Sequence, residues 1–302
     1  MAATAPAELF PWDTLLRRIR DRRCTPFLGA GASAGYIQTA KQVAQMWADQ
    51  FNYPLSNRDD LASVAQFLAI NVDGAEPKDI FSALCRNADR PDFNDQTEIH
   101  RALADLPFPI YITTNYDSFM LEALKRAGKE PQLQYCKWYE KPTEFRSPPK
   151  APPEPTVERP LIYHLHGCCE DSQSMVLTED DYLDFLISML RRKNRLLPTY
   201  VLDALAGTSL MFIGYSHRDW TFLVLFRALM ETISRSVERL SVSVQLPPDE
   251  TTSEQRPHIQ RYFEKRYTRA HQIKTIVHWA RASEFAHELR QRWEATHGLQ
   301  RA

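Results

Sequence analysis

The side chains best suited to chemistry lie in two short runs, His164–Leu165–His166–Gly167 and Thr113–Thr114–Asn115–Tyr116–Asp117. An unperturbed imidazole titrates near neutrality and can take a proton from a reacting water or hydroxyl. A carboxamide donates and accepts at once, so Asn115 can hold a reactant in a fixed pose. Two more stretches, Gly29–Ala30–Gly31–Ala32–Ser33 and Gly214–Tyr215–Ser216–His217–Arg218–Asp219, pair glycine with small polar residues. Lacking a Cβ, Gly29 and Gly31 let a ligand approach the main chain. A phosphate then suits the N–H groups at the start of a following helix. Each stretch also has a plainer reading. The glycines suit a tight turn, Asn115 a left-handed turn position, and Asp117 or Ser216 a helix cap. One of the two histidines suits a structural role, because alternate residues of a strand share a face.

The elements that must carry these residues follow from the apolar pattern. Residues 8–23 read as an amphipathic helix, with Leu15, Leu16 and Ile19 on one side. Pro26–Phe27–Leu28 reads as a strand running into the glycine turn and on towards a helix. From about 41 to 105 the periodicity is helical, with breaks at Pro54, Asp73–Gly74 and Arg90–Pro91, which predicts a helical insertion beside a sheet. β-branched and aromatic runs predict strands at Pro109–Thr114, Leu133–Tyr135, Leu161–His166 and Leu210–Ile213. A helical pair is predicted between the last two, and a helix over Asp219–Met230 after them. Two strand-plus-helix units close the chain, Leu240–Leu246 with 254–266 and Ile273–Trp279 with 282–295. Seven prolines between Lys141 and Pro160 predict a surface loop. Continuous apolar strands alternating with helices predict an α/β fold, a Rossmann-like doubly wound parallel sheet. The expected division is one domain, with its core over about 1–40 and 106–302, an insertion over about 41–105 and the proline-rich loop at 141–160. All four chemical stretches follow apolar strands, and ligands of such sheets bind at the carboxyl ends of the strands.

Composition narrows the classes. With 302 residues and a formal net charge of −1, the chain lacks the basic excess of a general nucleic-acid binder. No apolar run approaches the ~18 residues of a membrane helix. Five cysteines without a Cys-x-x-Cys pair predict neither a disulfide framework nor a thiolate zinc site, and fit a reducing cytoplasm. The apolar run Phe222–Phe226 reads as a core helix or a subunit contact. Residues 256–302 carry ten Lys and Arg against four Glu, a solvated basic face or a partner surface.

In order and content the four stretches resemble the signatures of the sirtuin-like NAD-binding domain. The resemblance runs over about residues 25–220, with the His-x-His-Gly and Thr-x-Asn-Tyr-Asp blocks the more specific. It implies NAD as substrate, with Asn115 and His166 catalytic. It also implies NAD contacts from Gly29, Ala30, Gly31, Ser33, Thr114, Asp117, Gly214 and Ser216. Sirtuin deacylases carry a zinc module of two Cys-x-x-Cys pairs after the catalytic histidine, and this chain does not. Gly207–Thr208–Ser209 mimics a sirtuin ribose-binding triplet but precedes its strand; Gly214–Tyr215–Ser216 stands in the proper place. These features resemble the zinc-less branch in bacterial anti-phage defence, whose members hydrolyse NAD. That branch implies a homo-oligomer and a defence partner such as a translocase ATPase. A protein deacylase and a sensor that binds NAD or ADP-ribose without turnover are the competing readings.

The cysteine spacing generates the first test. Elemental analysis of the purified chain is expected to find no stoichiometric zinc, with stability and activity unchanged by chelators; one zinc per chain would contradict this.

Overall fold

The computed structural model describes residues 10–140, 153–215, 224, 227, 240–248, 251–271 and 273–298. The proline-rich run over 141–152, Ser216 and most of the helix expected over 219–230 lie outside the described residues.

Seven strands form one parallel sheet: β1 (Cys24–Leu28), β2 (Ile110–Thr113), β3 (Gln132–Tyr135), β4 (Leu161–His164), β5 (Ser209–Ile213), β6 (Leu240–Gln245) and β7 (Lys274–Trp279). Their order across the sheet is β3-β4-β2-β1-β5-β6-β7. The chain winds outward from β1 on one side, then crosses to β5 on the other, so the winding reverses between β1 and β5. The α/β doubly wound reading holds.

Alternation along the strands splits the core into two layers. Leu28, Tyr111, Ile162, Met211 and Ile213 join one cluster. It also holds residues of α1 (Trp12–Arg20), α5 (Ile99–Ala104), α6 (Phe119–Arg126) and α10 (Ala282–Gly298). Phe27, Ile112, Leu161, Tyr163 and Phe212 join the other, with α7 (Glu179–Leu196) and α8 (Thr199–Gly207). Phe27 lies in register with Ile112 on one side and Phe212 on the other, so three bulky side chains stack across the sheet centre. Burying each contributes about 1.5–3 kcal/mol. A smaller cluster joins β7 to α9 (Arg256–His271) through Phe263, Tyr267 and Val277.

Of the helices between β1 and β2, α2 (Ala40–Gln50), α3 (Leu61–Asn71) and α4 (Glu76–Arg86) share a separate core built on Val43, Trp47, Val64, Leu68 and Phe81. That core also takes in Cys169, Met175 and Leu177 from the loop after β4. By contrast α5 packs into the main core.

Two expectations about the strand ends need correction. The glycine turn does not enter an α-helix: it makes one 3-10 turn over Ala30–Ala32, and α2 begins only at Ala40. Gly35, at φ +94°, stands in the loop between them, a conformation that ends helical propagation. And β4 stops at His164, leaving His166 beyond the strand, where strict alternation no longer governs its direction.

The glycines at the switch point are fixed by contact between two stretches of backbone. Gly214 has φ +80°, and a Cβ there would lie 2.4 Å from the Ala32 nitrogen. Gly214→Ala is expected to destabilise by roughly 2–4 kcal/mol, from left-handed strain together with overpacking. Gly74→Ala, where an added Cβ meets nothing within 4 Å, is expected to leave stability unchanged or raise it by under about 1 kcal/mol. Denaturant midpoints of the two variants check both.

Candidate active site

At the carboxyl ends of β1 and β5 the two glycine turns interlock. The Gly29 amide donates to the Ile213 carbonyl at 2.9 Å, and the Gly31 amide to that of Gly214 at 2.9 Å. Tyr215 lies across this junction with its ring over Gly29. Its hydroxyl donates to the Leu28 carbonyl at 2.9 Å and lies 2.9 Å from the Thr114 hydroxyl, joining the ends of β1, β2 and β5. Gly29 and Ser33 are buried, while Ala30 and Gly31 reach the surface. Among the described residues the Ala30 amide has no hydrogen-bond partner, so it is free to meet an anion.

Asn115 is the hub. Its side-chain amide donates to the Gly29 carbonyl at 3.1 Å and to the Ser33 hydroxyl at 3.0 Å. Both acceptances need the NH2 group, which fixes which end of the carboxamide is which. Ser33 in turn donates to Asp117 Oδ2 at 2.8 Å. Asp117 Oδ1 accepts the Phe119 amide at 3.0 Å and so caps α6. The plain and chemical readings of Asp117 therefore coexist, one on each carboxylate oxygen. All of Ser33, Asn115 and Asp117 are buried.

The two histidines diverge. His164 Nδ1 donates to the Asn115 main-chain carbonyl at 2.8 Å and clamps the hub from behind. Burial pushes its pKa down, while that bond and the Asp117 charge pull the other way. His166 instead turns its ring to α7, 5.1 Å from Phe185 and 5.8 Å from Tyr182, both edge to face. Desolvation lowers its pKa from 6.5 to about 3, so it is neutral at ordinary pH. Gly167, at φ +82°, folds the chain back over Ser174, where a Cβ would clash with the Ser174 carbonyl. The Val176 amide then donates to the His166 carbonyl at 3.0 Å.

Thus Gly29, Gly31, Ser33, Thr114, Asn115, Asp117 and Gly214 meet in one network, with Ala30 at its edge. His166 borders α7 two residues beyond the clamp, and Ser216 lies outside the described residues. Sequence reasoning missed Tyr215, whose position after Gly214 carried no signal of its reach to Leu28. It also missed Lys78, which ties α4 to the first turn of α7. Lys78 Nζ meets Asp181 Oδ1 at 2.7 Å, and Asp181 Oδ2 accepts the Leu177 and Thr178 amides at 3.1 and 2.9 Å. Among the described residues no cluster of three or more His, Cys, Asp or Glu could hold a metal. No helix among them is long and apolar enough to cross a membrane.

The family model described as SIR2-like domain matches residues 109–276, more than half of the chain. The chain belongs to the SIR2-like domain family. This SIR2-like chain is 29% identical over 211 residues to the NAD(+) hydrolase ThsA of Cytobacillus dafuensis, a match covering 68% of this chain and 37% of that protein. Against the NAD(+) hydrolase ThsA of Bacillus cereus (strain MSX-D12) identity is 27% over 221 residues, 70% of this chain and 40% of the relative. A third NAD(+) hydrolase ThsA, from Enterococcus faecium, is 32% identical over 168 residues, 52% of this chain and 30% of the relative. The matched part of this chain thus spans less than half the length of these relatives.

His166 generates a pH test. Its folded pKa lies below its ordinary value, so the unfolded chain takes up the proton first. Above about pH 6.5 the group contributes nothing; as pH falls from there towards 3, stability is lost. At pH 5 the loss from this one group is roughly 2 kcal/mol. Urea titrations at pH 7 and pH 5 are expected to show a smaller acid loss in His166→Gln than in the unsubstituted chain; equal losses would contradict the burial.

Proposed function

We propose that the chain is an NAD+ glycohydrolase that cleaves the bond between nicotinamide and ribose, releasing nicotinamide and ADP-ribose. The observation that carries this reading is the chain of hydrogen bonds from Asn115 through Ser33 to Asp117, set beside the winding reversal in a SIR2-like domain. The ThsA relatives' name, NAD(+) hydrolase, supports it.

When the N1–C1′ bond breaks, its electron pair goes to the ring nitrogen, so the pyridinium leaves as neutral nicotinamide and needs no acid. Positive charge develops on the ribose, as in glycoside hydrolysis. Water adds to C1′ and its proton must go to a base. His166 is our candidate base and Asn115 the residue that orients ribose and water. Burial keeps His166 in its proton-accepting form, yet an imidazole titrating near 3 is a weak base. A bound pyrophosphate works in the opposite sense, since negative charge nearby favours imidazolium. The free Ala30 amide and the exposed Gly31 suit the pyrophosphate, with Gly29, Ser33, Thr114, Asp117 and Gly214 shaping the nucleotide site and Ser216 reaching the adenosine ribose. No metal enters this scheme.

The same proposal treats the chain as one sirtuin-like domain, with the helices between β1 and β2 as an insertion. It extends to a cytoplasmic effector of anti-phage defence, working as a homo-oligomer and with a partner such as a translocase ATPase.

The test is nicotinamide release from NAD by the purified chain, alone and with the product of a neighbouring gene. Asn115→Ala and His166→Ala are each expected to lower turnover by roughly 10²–10⁴-fold, the range for losing a positioned acid–base group, with circular dichroism unchanged. His164→Ala is expected to lower stability more than turnover. Full activity in His166→Ala with loss in His164→Ala would exchange the roles of the two histidines; full activity in both would remove the mechanism.

A further inference from the structure

One face of α7 is built for contact that the described residues do not supply. Its inward side is buried at Phe185, Ser188 and Met189. The outward side carries Leu183, Ile187 and Leu190, which are 59%, 44% and 64% exposed. Their spacing of four and then three residues places them in one stripe along the helix. A lone exposed leucine is ordinary, but three in register on an 18-residue helix form a continuous seam.

Charge flanks this seam in a pattern with a direction. Asp180 and Asp184 lie exposed towards the amino end, Arg191 and Arg195 towards the carboxyl end, on the same face. The helix dipole accounts for acid at one end and base at the other. It does not account for the exposed apolar residues between them. The stripe is also close to palindromic about Ile187: reversing the helix exchanges Leu183 with Leu190, Asp184 with Arg191, and Asp180 with Arg195.

We infer that α7 pairs antiparallel with the α7 of a second copy of this chain, in a two-fold contact centred on Ile187. In that arrangement Leu183 of each copy packs beside Leu190 of the other, and each acidic half lies along a basic half. The opposed dipoles add to the attraction, and the polar neighbours fix the register, as charges flanking an apolar seam do in coiled coils. A parallel pairing would set like charges side by side. An unrelated apolar partner would not require the palindrome. The inference is independent of the reaction proposed above, because its readout is mass rather than turnover.

Light scattering of the full chain at micromolar concentration reads the contact directly. The expected particle holds at least two copies of the 35.0 kDa chain. Ile187→Glu is expected to halve the particle mass with circular dichroism unchanged, the side chain being half exposed. Asp184→Arg and Arg191→Asp are each expected to halve it as well, by placing like charges opposite one another. The double variant Asp184→Arg with Arg191→Asp restores every opposite-charge pair and is expected to restore the mass. A monomeric parent chain would overturn the inference, as would an unchanged mass in Ile187→Glu. Loss of mass in both single charge variants without recovery in the double would overturn the antiparallel register.

Discussion

The close approach of two main-chain segments, Gly29–Ala32 and Gly214, is the constraint on which the rest depends. The glycines lock the end of β1 to the end of β5 by paired backbone bonds. Only residues without a Cβ let the turns come so near: a Cβ on Gly31 would lie 2.7 Å from the Gly214 Cα. These glycines therefore serve the fold at the very point where the sheet changes winding direction. Placing the Gly29 carbonyl and Ser33 where Asn115 can reach both is a consequence of that lock.

From there the polar groups form a supported chain. Asn115 is held at its carbonyl by His164 and at its amide by Gly29 and Ser33. Asp117 takes the Ser33 hydroxyl on one oxygen and anchors α6 with the other. Each buried polar atom in this chain gains a partner, which a burial of this depth demands. The helices α2–α4 close over the same end through Lys78 and Asp181, the pair that fixes the first turn of α7. Since α7 presents Tyr182 and Phe185 to His166, the environment of that imidazole is set from two helical layers at once.

His166 shows how packing alters a residue's chemistry without changing its identity. In water an imidazole divides its time between charged and neutral forms near neutrality. Against Phe185, away from solvent, the charged form loses its hydration and the group stays neutral. His164, two residues earlier, is also buried, but its ring is occupied by the Asn115 carbonyl. The same side chain in the same short motif is a clamp in one position and a desolvated ring in the other.

The sequence alone determined the architecture and the neighbourhood of the site. Apolar runs such as Phe27–Leu28, Ile110–Ile112 and Met211–Ile213 could be buried only in a sheet covered on both faces, and the polar residues just after them had to collect at one edge. Local periodicity carries that much because it reports which side of an element meets water. The direction of His166 was not in the sequence, since the strand stops at His164 and a left-handed Gly167 then turns the chain. Nor was the pairing of Ser33 with Asp117, 84 residues apart, or the reach of Tyr215 across three strand ends. Contacts of that kind are settled by which turns the packed backbone allows to touch, and no local pattern encodes a distance between segments that meet only once the sheet has closed.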